Sequence, residues 1–351
     1  YADLPDRPNE IMSVVQNILI HRQAVSHYNV TLSSDQRQEQ HLRTAAQRLE
    51  RIQQVNAKSI TQPWAPKERQ VGVCRDFALM FVSMLREKSI PARMRVGFAE
   101  YLDPGPYKID HWITEYWDAE LQGWILADPQ IDDFMMDLFQ VRSNTTDLAR
   151  NLDFYMAGSA WQLVRQGKIS SANFRYSGHW KGLPCIRGNL LHDFQALNRL
   201  ELGVYDYWDD LSRKKESNLS ANDRQLLDEI AAACLHADED HAAFTAFFDR
   251  LPRTAQIMGQ LRLLGIIENE NKEERRIRPS DAGRLDALTS TNGTVHRIPQ
   301  YVPFEIPSDS PLGTLQQLHD ENLNPDTGKI LIRGARQHNL KNIDVVIPRN
   351  Q

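Results

Sequence analysis

Apolar positions along the chain change their period several times, and those changes divide it into elements. From Pro8 onward Ile11, Val14, Val15, Ile18 and Leu19 recur at helical spacing behind a proline suited to a first helical turn. A more polar stretch from about Ser34 to Val55 predicts a second helix, with Ser34-Asp35 as its cap. Pro63 and Pro66 mark Thr61–Gln70 as a loop. Helical spacing returns over Val73–Lys88, with Phe77, Phe81 and Met84 on one face, and Ser89-Ile90-Pro91 ends it. Ala92–Glu100 then alternates, Met94, Val96 and Phe98 on one side and Arg93, Arg95 and Gly97 on the other, which predicts a strand. Pro104-Gly105-Pro106 is a loop, and Trp112–Trp117 and Trp124–Ala127 read as two strands joined by a hairpin at Asp118–Gly123.

Farther on, about Leu148 to Leu200 reads as helical with turns near Gly167, Gly182 and Gly188, followed by helices at Ala221–His236 and Ala243–Leu264. Glu268–Arg278 is a charged turn between Leu264-Gly265-Ile266-Ile267 and Ile277. That order has a faint winged-helix character, although a plain helical subdomain is the better reading. Thr289–Pro311, rich in Thr, Ser, Pro and Asn, reads as a linker or long surface segment. The expected organisation is an N-terminal helical region at 1–60, an α+β core at 61–147, a mainly helical accessory region at 148–288, a linker at 289–329 and a distinct tail at 330–351.

Composition narrows the function classes. The chain has 351 residues, 41% hydrophobic and 25% charged, which is ordinary for a soluble globular protein. A formal net charge of −5 disfavours non-specific nucleic-acid binding, and no direct nucleic-acid site is identified. Apolar runs such as Ala78–Leu85 are too short to span a bilayer. The three cysteines, Cys74, Cys185 and Cys234, are widely spaced and form neither a disulfide framework nor a metal-type pair. A cytoplasmic setting follows as the expectation. No metal or cofactor is expected, since neither a Cys/His cluster nor an acidic loop of EF-hand type is present. The acidic pairs Asp132-Asp133 and Asp209-Asp210 read as solvated surface.

The chemistry gathers at Cys74. It stands at the predicted start of the Val73–Lys88 helix, where unpaired backbone N–H groups and the positive dipole end point at its sulfur. A helix N-terminus or a neighbouring imidazolium favours the thiolate, and the same N–H groups suit an oxyanion in acyl transfer. His111 begins the next strand but one, and Asp128 ends the strand after it. Each residue alone has a plainer reading: a small buried hydrophobe, a member of an aromatic cluster, a turn aspartate. Together, in this order, they can make a nucleophile, a base and a group that fixes the base's tautomer if the three meet in space. Gln70 is considered as a further oxyanion donor, with a surface loop residue as the better reading. Trp64, Tyr101, Tyr107, Trp112 and Trp117 bring aromatics near the presumed cleft, either lining a groove for an extended chain or packing the sheet.

Several local sequences agree with this order: Gly72-Val73-Cys74-Arg75-Asp76-Phe77-Ala78, Ser89-Ile90-Pro91-Ala92-Arg93 leading to Gly97, His111-Trp112-Ile113-Thr114-Glu115, and Trp124 before Ala127-Asp128-Pro129. They resemble the core of the transglutaminase-like, papain-related thiol enzymes over roughly residues 60–135. The resemblance implies a Cys-bearing helix packed on an antiparallel sheet, with N-terminal helices before it and a mainly helical region after. It also implies Cys74 as nucleophile, His111 as base, Asp128 as its orienting partner, and an acyl-thioester intermediate on a protein or peptide substrate. Relatives crosslink, cleave peptide bonds or release glycans, and hydrolysis ranks above crosslinking here because no amine site is visible. Arg187-Gly188-Asn189-Leu190-Leu191-His192-Asp193-Phe194, with Leu197-Asn198, is similar to the region after the core in a bacterial subgroup.

The tail carries a separate resemblance. Ile330-Leu331-Ile332-Arg333-Gly334-Ala335-Arg336-Gln337-His338-Asn339-Leu340-Lys341-Asn342-Ile343-Asp344, continuing to Ile347-Pro348-Arg349, resembles the opening of the excinuclease-A family of DNA-repair ATPases. No G-x-x-x-x-G-K-[ST] is present, and Gly328-Lys329-Ile330 lacks both the upstream glycine and the hydroxyl residue. The resemblance implies fusion to, or association with, a repair-type ATPase. It leaves a second reading open, in which the first part of the chain is a non-catalytic interaction module of such a machine.

Overall fold

The structure, a computed structural model, describes residues 1, 3–176, 181–200, 203–204, 211, 214–239 and 241–250, and the backbone of strands at 323–324, 329–335 and 343–348. The chain separates into two compact units, one of Tyr1–Val204 with Asp210–Ala246, the other of Tyr205–Asp209 with Phe247–Gln351.

In the first unit, α1 (Pro8–Ile18) buries Ile11, Met12, Val14, Val15 and Ile18, with Pro8 opening its first turn. It packs on α4 (Cys74–Glu87), so that Ile11, Val15 and Ile18 share one core with Phe77, Met80, Phe81 and Met84. A short strand, β1 (Leu19–His21), follows directly and pairs in parallel with β2 (Gln70–Gly72), His21 lying opposite Gly72. The stretch expected as one helix from Ser34 to Val55 is two, α2 (Ser34–Gln38) and α3 (Ala45–Val55), separated by a short 3-10 turn. Two capping boxes make the break: Ser33 with Gln36 and Thr44 with Gln47 each exchange side-chain and backbone hydrogen bonds. Thr44 caps a new helix and cannot at the same time continue an old one.

The sheet is antiparallel and curled, in the order β5-β4-β3-β6, with β3 (Ala92–Ala99), β4 (Lys108–Asp118), β5 (Gly123–Ala127) and β6 (Phe154–Met156). A two-residue strand, β7 (Phe174–Arg175), joins the beginning of β4 in parallel. Thus 148–200 is not continuously helical. Beside β6 and β7 it holds α6 (Ala157–Arg165) and α7 (Leu183–Leu197). Phe154-Tyr155-Met156 satisfies β3, and Gly97 permits the approach, because a Cβ there would lie 2.1 Å from the Tyr155 carbonyl oxygen. Gly167 and Gly182 mark turns at positive φ, whereas Gly188 lies inside α7.

Helix α4 covers the sheet through Met94, Val96, Trp112 and Tyr116. Helix α7 seals β3 in another way. Asp193 accepts hydrogen bonds from Arg95 Nε at 3.0 Å and from Val96 N at 2.8 Å, and Asn189 donates to the Gly97 carbonyl at 2.9 Å. The Arg187–Phe194 motif thereby has a structural task, satisfying polar groups of β3. Helix α8 (Ala221–Leu235) packs on α6 and α7, and α9 (His241–Arg250) follows. In the second unit β8 (Leu323–Asn324), β9 (Lys329–Ala335) and β10 (Ile343–Pro348) form an antiparallel sheet with β9 in the middle. The charged turn at Glu268–Arg278 and the linker at Thr289–Pro311 lie outside the described residues, as does the end of the helix expected at Ala243–Leu264.

A candidate thiol site at the start of helix α4

Helix α4 begins at Cys74 with Val73 as N-cap, and the Asp76 carboxylate in its first turn accepts from the Val73 N–H at 2.8 Å. Asp76 is itself held by Arg48 from α3 at 2.5 Å and by Arg75 at 3.1 Å, all three side chains being almost wholly buried. Gly72 makes room for this pair, since a Cβ would stand 3.2 Å from the Asp76 carboxylate. The helix start is therefore fixed from below, and Cys74 stays half-buried while Cys185 and Cys234 are buried.

The β4–β5 register pairs Thr114 with Ala127. One residue farther, Asp128 comes opposite Ile113, which alternates onto the same face as His111. There the Asp128 carboxylate, fully buried, bonds His111 Nε2 at 2.8 Å. The same oxygen accepts from the Tyr101 hydroxyl at 2.7 Å, and the other accepts from Gln130 N at 2.9 Å. With Nε2 engaged, the ring offers Nδ1 to Cys74, which lies within its hydrogen-bonding reach.

Electrostatics follow from this geometry. Burial alone would lower the His111 pKa, but the charge and hydrogen bond of Asp128, and then Cys74, raise it to about 10. Burial, followed by Asp128, pushes the Tyr101 hydroxyl well above its usual range, so it remains a donor. Burial also pushes the Cys185 and Cys234 thiols up, with nearby carboxylates adding to it. They are inert neutral thiols at neutral pH.

The structure thus brings Cys74, His111 and Asp128 together. Gln70 stands elsewhere: it is buried in β2, not in a surface loop, and braces Arg48. Its Oε1 accepts from Arg48 Nη1 at 2.8 Å and its Nε2 donates to the Arg48 carbonyl at 3.1 Å. Trp64 and Trp112 are core residues, and Trp117 stacks edge-on against Trp124 in the hairpin. Asp132 is not merely solvated, because it caps the helix at Asp133–Phe139 (α5) and accepts from the Tyr28 hydroxyl at 2.8 Å. Asp209-Asp210 lies outside the described residues. Among the described residues no cluster of His, Cys, Asp and Glu could hold a metal, and no helix is long and apolar enough to cross a membrane.

Two residues at this site have roles that the sequence does not announce. Tyr101, grouped with the aromatics, is a second donor to Asp128. His21, from the first strand, is close enough that the charges of His111 and Asp128 act on its ring. Neither has a local signal, since both reach the site only through tertiary pairing.

A helix-borne thiol on a curled antiparallel sheet, in an α+β frame, defines a transglutaminase- and papain-like core. Residues 26–129 match the profile of the transglutaminase-like superfamily. Among solved structures, one described as "a Putative Cysteine Protease from Cytophaga hutchinsonii" is 19% identical with a TM-score of 0.23, over 37% of this chain and 34% of that one. The chain thus spans about a third of that protein's length, and the class assignment rests on the superfamily match. No protein of curated function matches the sequence.

Proposed function

We propose that the first unit is a cysteine-dependent acyl-transfer enzyme acting on amide bonds of a protein or peptide, with hydrolysis as its ordinary outcome. The observation that carries this reading is the chain of contacts from Cys74 through His111 to a buried Asp128 that also holds Tyr101 and Gln130. An imidazole with so raised a pKa is suited to take the thiol proton as the sulfur becomes the nucleophile.

The thiolate sulfur attacks the substrate carbonyl carbon, and the carbonyl π pair moves onto oxygen beside the Cys74 N–H. Collapse restores the carbonyl and breaks the C–N bond, while the imidazolium gives its proton to the departing amine. His111, now neutral, takes a proton from water, which attacks the thioester and releases the carboxylic acid and the thiol. Asp128 fixes the ring and stabilises its charge throughout. Protein or peptide is the substrate class, and association with a repair-type ATPase remains a proposal resting on the tail.

Near neutral pH, iodoacetamide should alkylate Cys74 ahead of Cys185 and Cys234. Equal rates at the three thiols would remove the basis of the reading. A panel measuring peptide cleavage, glutamine deamidation and amine incorporation, with Cys74→Ala as control, then separates hydrolysis from transfer. Silence in all three would turn attention to a non-catalytic interaction module.

A further inference from the structure

The site as described has one oxyanion donor, the Cys74 N–H, and Gln70 is committed to Arg48. The first strand supplies another group. β1 runs parallel to β2, so the C-terminal ends of both strands lie together, and His21 stands opposite Gly72, two residues before Cys74. The pairing is pinned on each side: Arg22 N donates to the Gly72 carbonyl at 2.9 Å, and the His21 carbonyl accepts from Ala24 N at 2.8 Å. The ring is half-buried and has no hydrogen-bond partner among the described residues. It also shares the electrostatic environment of His111 and Asp128. Burial first, then the positive charges of His111 and Arg22, push its pKa down to about 3.

A neutral imidazole always carries one N–H, and an unsatisfied one on the strand paired with the approach to Cys74 is available to substrate. The other donors described at the site are engaged: Tyr101 by Asp128, His111 by Asp128 and Cys74. We propose that His21 is a further catalytic residue, donating its ring N–H to the oxygen of the substrate carbonyl as negative charge develops there. The proposal rests on the thiol-enzyme reading above and deepens it: the oxyanion site is completed from α1–β1, outside the stretch that matches the superfamily.

Two reagents separate this role from the general activation of Cys74. With p-nitrophenyl acetate the sulfur attacks the carbonyl carbon, the carbonyl oxygen becomes an oxyanion, and collapse expels p-nitrophenolate to leave acetyl-Cys74. With iodoacetamide the sulfur displaces iodide at a saturated carbon and no oxyanion forms. The two rates are measured at neutral pH on the full chain, for wild type, His21→Ala and His21→Gln, with Cys74→Ala as blank and thermal melting as a check on folding.

His21→Ala should slow acetylation of Cys74 by about 10²-fold, in the range found for removal of one oxyanion donor, while alkylation stays within about twofold. His21→Gln, which keeps an N–H donor, should recover at least tenfold of the loss. Unchanged acetylation in His21→Ala overturns the proposal and leaves the thiol-enzyme reading standing. Parallel loss of both rates also overturns it, since the histidine would then be supporting the ion pair or the local fold. Absence of preferential Cys74 alkylation in wild type overturns both readings together.

Discussion

Strands β3 and β4 carry two buried polar clusters, and they differ in one respect. Around Arg95, every charge is closed off. Arg95 binds Asp193 at 2.9 Å and Glu115 at 3.0 Å, while Glu115 also takes Arg93 at 2.5 Å and Arg150 at 2.5 Å. Burial would raise the Glu115 pKa, but Arg95, Arg93 and Arg150 hold it at about 2. Around His111, the buried carboxylate of Asp128 has an imidazole for a partner, and the far side of that imidazole meets a half-buried thiol. A guanidinium does not release its proton in a protein, whereas an imidazole does. The first cluster can only lock the sheet. The second can pass a proton.

The largest effect should come from the proton-passing cluster. Asp128→Ala is expected to lower acylation of Cys74 by roughly 10³–10⁴-fold, as for loss of the orienting carboxylate in Ser-His-Asp enzymes. Asp128→Asn, which lacks the charge and no longer fixes the tautomer, should lose a similar amount. A stopped-flow acylation assay on folded protein decides this, and an Asp128→Ala rate within tenfold of wild type would collapse the distinction between the clusters. The locking cluster should respond in stability instead. Asp193→Ala strips Arg95 of a bidentate partner and frees Val96 N, so unfolding should become easier by about 3–5 kcal/mol. Below its lowered melting point, alkylation of Cys74 should remain near the wild-type rate. Lost thiol reactivity in a folded Asp193→Ala protein would show that the two clusters are one.

A pH titration of stability sharpens the same contrast. The folded-state pKa of His111 lies near 10 against an ordinary value of 6.5. Its proton therefore stabilises the fold fully below about pH 6.5, and that contribution is lost as pH rises toward 10, with a slope of up to about 1.4 kcal/mol per pH unit. Between about pH 6.5 and 8, below the range where the raised Cys185 and Cys234 thiols add a decline of their own, denaturant unfolding should show the decline in wild type and a much flatter profile in Asp128→Asn. Asp193 and Glu115 have partners that do not titrate in this window, so Asp193→Ala should retain the wild-type slope. An identical slope in wild type and Asp128→Asn would mean that His111 is not the titrating group.

The legibility of these two clusters in the sequence is unequal for a physical reason. Cys74 opens α4 and Asp128 directly follows β5, and such helix starts and strand ends leave local marks in Gly, Pro and aromatic neighbours; His111, expected to begin its strand, lies inside β4, which starts at Lys108. The Cys-bearing helix and the β3, β4, β5 order are readable from periodicity for the same reason. The Arg95–Asp193 contact joins residues far apart in sequence, and nothing local announces it. Strands β6 and β7 are hidden because three and two residues are too short to establish a period. The break before α3 is recoverable: Thr44-Ala45-Ala46-Gln47 is a capping-box pattern, masked by the polar helical stretch around it. His21 illustrates the limit, since its relation to Cys74 exists only because β1 pairs with β2.

The smallest effect concerns Tyr101, whose hydroxyl shares one Asp128 oxygen with His111. Tyr101→Phe removes a neutral donor from a buried carboxylate, a loss of about 1 kcal/mol in typical proteins. A donor to Asp128 disperses the carboxylate charge and so weakens the attraction that raises the His111 pKa. Without the hydroxyl, the charge falls more fully on the ring, and the imidazolium should hold its proton to slightly higher pH. The alkaline limb of Cys74 acylation, set by loss of the imidazolium proton, should therefore move upward by a fraction of a pH unit. The neutral-pH rate should fall only several-fold, since His111 Nε2 and Gln130 N still hold Asp128. A downward shift of the limb would mean that Tyr101 acts chiefly by keeping water from Asp128.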